Sequence, residues 1–217
     1  MLTRTPLALL ALVAAATLTS GCEVAPLKPA PTPTADGGVA GGTHGDPVQL
    51  LATLKVAKAG SMKDYSRAKF PHWKSTGQNC DVRDSVLKRD GTKVKLSGCN
   101  VVGGSWTSIY DGRKLTKPTQ VDIDHMVPLA NAWRSGAAAW TTDKRGDFAN
   151  DLDRPQLVAV SATSNRGKGD QDPSTWKPSM RSAWCGYAKD WITVKSYWKL
   201  SVTTAEKKAL NDMLKEC

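Results

Sequence analysis

Histidine is scarce in this chain: three in 217 residues, His44, His72 and His125. Chemistry that needs an imidazole titrating near neutral pH therefore has few places to sit. Cysteine is sparse as well, five in all, and no two lie within two to four residues of each other. That spacing excludes a four-cysteine zinc site, which needs closely spaced pairs. The longest apolar run, Leu7 to Leu18, is shorter than the roughly 20 residues a membrane-crossing helix requires. No internal repeat occurs, and no zinc finger or helix-turn-helix pattern announces a separate reader of base sequence. Acidic residues are outnumbered, 20 against 30 Lys and Arg, giving a net charge of +10 and a pI near 9.5.

The basic excess belongs to the C-terminal part. Residues 1–46 carry only Arg4 and Lys28 against Glu23, Asp36 and Asp46. A surface of this sign favours polyanions, whether nucleic acid, anionic lipid or wall polymers. The first 22 residues read as an export signal: Arg4 begins it, the apolar run follows, and Thr19-Ser20-Gly21-Cys22 closes it. Small residues before Cys22 resemble a bacterial lipobox, which would lipidate Cys22, although Thr19 stands where Leu is usual. The expectation is an exported chain, either a surface lipoprotein or a freely secreted protein. Residues 23–46 form a linker of Pro, Ala, Thr and Gly with too few large apolar side chains for a core. The domain is expected over 47–217. With Cys22 set aside, Cys80, Cys99, Cys185 and Cys217 remain, an even number that suggests two disulfides in an oxidising compartment. Three pairings are open; Cys80–Cys99 closes a short local loop and Cys185–Cys217 ties the C-terminus to an earlier helix.

Several elements are legible. Leu50, Leu51, Leu54 and Val56 mark a first helix with Asp46 as its cap, and Asp81 can cap a short helix beyond Cys80. Val94-Lys95-Leu96 and Val101-Val102 read as short strands with Gly103-Gly104 as a turn, Trp106 to Tyr110 as a further strand, and Asp111-Gly112 as a turn. Val121 to Val127 alternates, with Val121 and Ile123 on one side and Asp122 and Asp124 on the other. Leu129 to Trp140 reads as a helix and Leu157 to Val160 as a strand. Ser161 to Gly169 reads as a helix ended by glycine. Residues 180–195 and 203–216 read as helices, the last with Thr203 and Glu206 as a capping box.

The chemistry centres on His125, at a strand end directly after Asp124. It is a candidate general base; the alternative is a core histidine bonded to a neighbouring acid. The downstream segment Leu157 to Val160, then Ser161-Ala-Thr-Ser-Asn165-Arg166-Gly167-Lys168-Gly169-Asp170, supplies a second strand and a helix. Two strands joined by a long excursion and followed by a helix make the ββα-metal arrangement. There the acid and an Asn on the helix offer hard oxygen donors suited to Mg2+ or Mn2+.

Asp122-x-Asp124-His125-x-Val127-Pro128 with Asn165-Arg-Gly-Lys168-Gly-Asp170 resembles an HNH endonuclease. More closely, the chain resembles exported actinobacterial proteins related to the C-terminal domain of GmrSD-type restriction enzymes. Tyr65-Ser-Arg67, Phe70, Trp73, Asn79-Cys-Asp-Val-Arg83-Asp84, Tyr110-Asp-Gly112, Leu129-Ala-Asn-Ala-Trp133 and Phe148-Ala-Asn-Asp151 extend the likeness over roughly residues 60–215. The resemblance implies an α+β domain: a small ββα-metal (His-Me finger) core surrounded by helices and stapled by disulfides. It implies a nuclease hydrolysing DNA, or RNA, with low sequence specificity. Asp124 and Asn165 would be the metal ligands and His125 the base. Gln156 stands where HNH proteins often carry an Asn that orients the base through its backbone, with Asn150 nearby to share the role.

Other residues keep two readings. Asp122 assists the site or is a surface acid. Lys168 and Arg166 contact phosphates or sit on a solvated helix end. Arg83 and Asp84 read as structural, and Asp170 as a local cap. The competing function is a non-catalytic lipoprotein binding nucleic acid or a wall polyanion on the same scaffold. No protein partner is expected. A glycosidase is disfavoured, since carboxylates at 122 and 124 point the same way rather than across a substrate.

Overall fold

In the computed structural model, residues 45–217 are described. The export signal, Cys22 and all but the last two residues of the linker lie outside the described residues. The first helix, α1 (Pro47–Thr53), begins where Asp46 accepts from the Val48 amide, with Pro47 placed where its missing N–H costs nothing. A 3-10 turn at Arg67–Lys69 follows, then a small ribbon of β1 (Ser75–Gly77) and β2 (Cys80–Asp81). Asp81 caps α2 (Val82–Asp90) through a reciprocal capping box with Asp84. Strands β3 (Thr92–Ser97), β4 (Asn100–Thr107) and β5 (Lys114–Leu115) form an antiparallel sheet in that order.

The remaining elements are β6 (Val121–His125), α3 (Leu129–Arg134), α4 (Thr142–Ala149), β7 (Leu157–Ser161), α5 (Ala162–Lys168), α6 (Trp184–Tyr197) and α7 (Thr204–Leu214). Strands β6 and β7 pair antiparallel in unbroken register from Val121↔Ser161 to His125↔Leu157. Helix α5 follows β7 directly, so the chain makes a strand–strand–helix unit.

Period-two alternation divides this ribbon between two cores. Val121, Ile123, Leu157 and Ala159 pack with Val86 and Leu87 of α2 and with Trp106 and Leu115 of the three-stranded sheet. Val160 and Met126 join the larger helical core of Phe70, Trp133, Phe148, Trp191 and Leu210. Helix α5 lies against the acid-bearing face, where Asn165 reaches Asp122 and Lys168 reaches Asp124. The disulfides join Cys80 to Cys99 and Cys185 to Cys217. The first links β2 to the turn between β3 and β4, and the second fastens the C-terminus to α6.

Three expected elements differ. Trp106 to Tyr110 is not a further strand: Trp106 belongs to β4, which ends at Thr107. Gly103-Gly104 is not a turn: β4 runs through both, and the reversal falls at Gly98, whose φ is +62°. The segment 129–140 is not one helix. It breaks at Gly136 (φ +132°), a backbone conformation a side chain would strain, and resumes as a 3-10 turn.

Candidate active site

The end of β6 brings Asp124 and His125 to a cleft of about 320 Å³ that Asn165, Arg166, Tyr65 and Arg67 also line. His125 is buried, and its Nε2 lies 3.0 Å from the Ala149 carbonyl. A carbonyl only accepts, so Nε2 carries the ring proton and Nδ1 is the unprotonated nitrogen. Trp73 and His72 pack around the ring, with centroids at 5.7 and 6.3 Å. Burial pushes the imidazole pKa down to about 3, helped by the positive charge of Arg67 and opposed by the bond to Ala149. The ring is neutral at pH 7 and holds a free lone pair.

Asp124 is only 4 % exposed. Lys168 Nζ donates to its Oδ1 at 3.0 Å and its Oδ2 at 2.8 Å, and Tyr110 Oη donates to Oδ2 at 2.6 Å. The third ammonium proton goes to the His125 carbonyl at 2.9 Å. Lys168 thus spends all three donors on the strand that carries the base, and it has no solvent exposure. Burial lowers its pKa while Asp124 acts in the opposite direction. Behind the acid, burial and the Asp124 charge raise the pKa of Tyr110 well above its ordinary value.

Asp122, two residues earlier on the same face, is more open, with 26 % of its side chain exposed. Asn165 Nδ2 donates to its Oδ2 at 3.1 Å, and the Arg166 guanidinium approaches the same oxygen at 3.4 Å. The Asn165 carbonyl remains as an acceptor in the cleft.

One expectation needs correction. Lys168 does not offer its charge to a phosphate, because it is enclosed and fully bonded; Arg166, 75 % exposed, keeps that option. Gln156 bonds backbone just beyond the base rather than that of His125 itself. Its amide accepts from the Val127 N–H at 3.1 Å and donates to the Val127 carbonyl at 3.0 Å, while its own carbonyl accepts from Met126 N–H. It holds the two residues after the base. Asn150 accepts from Lys74 N–H and donates to the Pro71 and Gly146 carbonyls, fastening the segment that bears His72 and Trp73.

Arg83 and Asp84 are structural but not paired with each other. Arg83 donates to the Pro118 and Val121 carbonyls, and Asp84 accepts from Val101 N–H. Asp170 pairs with Arg134 at 2.6 Å. Sequence reasoning did not find the Ala149 carbonyl, since a backbone acceptor has no residue signature. It also left unassigned the Tyr110 hydroxyl, which the Tyr110-Asp-Gly112 segment carries in plain view.

Asp122, Asp124 and Asn165 present oxygen donors only, the chemistry of a hard divalent cation. Three of the roughly four lone-pair positions of Asp124 are used, leaving one for a cation. This donor set fits Mg2+ or Mn2+ completed by water or phosphate oxygens. Among the described residues there is no cluster of three or more His, Cys, Asp or Glu, so an all-protein cage is not what the site offers.

No solved structure matches this chain. An "Uncharacterized secreted protein" of the fungus Arthroderma benhamiae is 51 % identical over 190 residues, covering 87 % of this chain and 92 % of its own length. A fungal relative gives no support to the expected actinobacterial type, nor does it support a bacterial lipid anchor at Cys22. The family model described as "GmrSD restriction endonucleases, C-terminal domain" matches residues 81–213, more than half of the chain, from the cap of α2 to the end of α7. By that match the chain belongs to the family of the C-terminal domain of GmrSD restriction endonucleases.

Proposed function

We propose that this protein is an exported nuclease of the HNH (ββα-metal) type that hydrolyses phosphodiester bonds, with His125 as general base. The observation that carries the reading is the placement of that histidine: its Nε2–H is committed to the Ala149 carbonyl, and its ring lines the same cleft as Asp124 and Asn165. Nδ1 is then the atom that takes a proton from the attacking water. The water oxygen bonds to phosphorus as the bond to the 3′ oxygen breaks, and the leaving 3′ oxygen takes a proton from solvent, giving a 5′ phosphate and a 3′ hydroxyl.

Asp124 and Asn165, with Asp122 alongside, would hold Mg2+ or Mn2+, whose contribution is to offset charge on the phosphate and the leaving oxygen. The chain's own residues do the positioning. Lys168 and Tyr110 fix the Asp124 carboxylate, Lys168 holds the base's own carbonyl and Gln156 the two residues after it, and Trp73 packs against the ring. Arg166 and Arg67 are free to meet phosphate oxygens. Export accords with the two disulfides, which belong to oxidising compartments, and with the name of the fungal relative.

One observation favours the non-catalytic alternative: the ammonium of Lys168 already balances Asp124, so the site holds together as a buried ion pair without any cation. A single experiment separates the two. The purified protein, disulfides formed, is incubated with supercoiled plasmid and Mg2+ or Mn2+, with EDTA and with His125→Ala. Cleavage abolished by EDTA and reduced about 10³-fold by the substitution supports the nuclease. Well-folded protein that leaves plasmid, single-stranded DNA and RNA intact with every divalent ion sinks it and leaves the binder.

A further inference from the structure

The three-stranded sheet β3–β4–β5 and its flanks carry a group of six exposed cations. Lys88, Lys93, Lys95, Arg113, Lys114 and Lys117 are all exposed, and among the described residues none is within ion-pair distance of an acid. The acids in the same stretch are committed elsewhere. Asp90 is held by Arg89 and by Ala159 N–H at 2.9 Å. Asp111 accepts from the hydroxyls of Ser161 and Ser164 and from Arg113 N–H. Elsewhere Lys74, Arg181, Lys208 and Lys215 each lie beside a carboxylate, while Lys55, Lys58 and Lys199 are exposed without one among the described residues and serve as the comparison.

Strand register puts part of this charge on one face. Lys114 opposes Thr107 while its neighbour Leu115 opposes Trp106 in the core, so Lys114 faces away from the core. Alternation along β4 places Gly103, Ser105 and Thr107 on that same outer side. A Cβ added to Gly103 would meet the Lys95 side chain at 3.6–3.9 Å, so Lys95 lies across the outer face at Gly103. The face is thus a floor of small residues rimmed by lysines. It is joined to the cleft at two points. Arg113 donates to Thr163 on α5 at 3.0 Å, and the 3-10 turn at Pro118–Gln120 carries the chain from Lys117 into β6, which bears Asp122 and the base.

We infer that this outer sheet face binds the sugar–phosphate backbone of duplex DNA leading away from the cleft. The inference rests on the nuclease reading for its occupant. Nucleic acid is preferred over other polyanions because the face adjoins a site built for phosphodiesters. Duplex is preferred over single strands because the face has no aromatic platform on which unpaired bases could stack. Trp106 is 1 % exposed with its indole N–H bonded to the Leu87 carbonyl, and Tyr197, the large exposed aromatic side chain, belongs to α6. Contacts to phosphates alone carry no sequence information, so binding here is indifferent to sequence.

The test compares the full protein with two variants of equal charge loss. One carries Lys93→Gln, Lys95→Gln, Lys114→Gln and Lys117→Gln; the other carries Lys55→Gln, Lys58→Gln, Lys199→Gln and Lys215→Gln. Binding of a labelled 30-base-pair duplex is followed against salt in EDTA, with matched unfolding midpoints as the check on folding. Each lost phosphate contact flattens the slope of log K against log salt by about 0.9. The sheet variant should lose about 3 in slope and at least tenfold in affinity at low salt, and the control should change little. Equal slopes in the two variants overturn the inference. So does unchanged duplex binding with lost binding to poly-aspartate or to single-stranded DNA, which would assign the face to another polymer. Because EDTA silences cleavage, a shallow slope in a protein that never cuts DNA overturns the nuclease reading alone.

Discussion

The two faces of the β6–β7 ribbon are built from the same ten residues and obey different rules. One face, Val121, Ile123, Leu157 and Ala159, is held by burial against α2 and β4. It is tolerant in kind: other apolar side chains of similar volume would serve. The other face carries Asp122 and Asp124, and there each acid needs a named partner. Asp122 is partly open, and its carboxylate meets Asn165 and Arg166. Asp124 is enclosed and depends on Lys168 and Tyr110. The difference teaches where specificity resides, since an apolar face fixes the ribbon's place while the ion pair fixes the angle at which the base enters the cleft.

The sharpest way to break that contrast is Lys168→Met. The substitution keeps volume on the polar face and leaves Asp124 as a buried, unbalanced carboxylate, which costs roughly 3–5 kcal/mol. Denaturant unfolding should show a loss near the upper end of that range, because Lys168 also releases the His125 carbonyl. Adding Asp124→Asn should recover much of the stability, since the orphan charge is gone. Equal losses in the single and double variants would show that packing, not charge, is what Lys168 provides.

A half-buried acid tests the same rule without a partner. Asp190 on α6 has Lys189 nearby but no ion pair, and burial raises its pKa to about 7. The folded chain therefore holds a proton that the unfolded chain releases near pH 4. The associated stability is fully present below about pH 4 and is lost as the pH climbs through 7. Asp190→Asn removes this dependence. Between pH 5 and 8 the wild type should fall by about 3 kcal/mol relative to the variant, read from unfolding curves at each pH. Parallel curves for the two proteins would contradict it.

Much of this was legible beforehand, and the failures share one cause. The alternation at 121–125 placed both acids on one face, and the caps at Asp46, Asp81 and Thr203 are local hydrogen bonds that sequence encodes directly. Gly103-Gly104 looked like a turn because glycine pairs are common there, yet the Lys95 stem covers the bare backbone and β4 continues. Leu129 to Trp140 looked like one helix because alanine favours it, but Gly136 adopts a left-handed conformation that ends it. Lys168 reads as a phosphate contact or as part of a solvated helix end, and the structure encloses it instead. It is three residues from Asn165 and so shares its face of α5, which was a usable signal. What sequence could not supply was the closure of Tyr110 over the same carboxylate from a distant turn.

Gln156 gives a smaller effect on the polar face's exit. Gln156→Leu keeps the volume and leaves the Val127 N–H and carbonyl buried without partners, at a cost of about 2 kcal/mol. If Gln156 positions the base through the backbone, kcat should fall with little change in KM, and Gln156→Asn should restore part of it. A variant destabilised by that amount with unchanged kcat would reduce Gln156 to a fold residue.

The smallest effect should come from Arg166, and its smallness is what makes it informative. Arg166 and Lys168 both belong to the last turn of α5, and each lies beside an acid of β6. Arg166, however, is 75 % exposed and meets Asp122 at 3.4 Å, whereas Lys168 is enclosed at 2.8 Å from Asp124. Water screens the first pair, so Arg166→Met should shift stability by no more than about 0.5 kcal/mol. Its charge faces the cleft, so the cost should fall on substrate instead: KM for plasmid rises, more steeply at low salt, and kcat stays near its original value. The paired measurement separates the two cations of α5. One holds the acid in place and shows in stability, while the other meets the phosphate and shows in binding. A stability loss at Arg166 comparable to that at Lys168 would mean that Asp122 is as dependent on its cation as Asp124, and that the polar face has a single rule throughout.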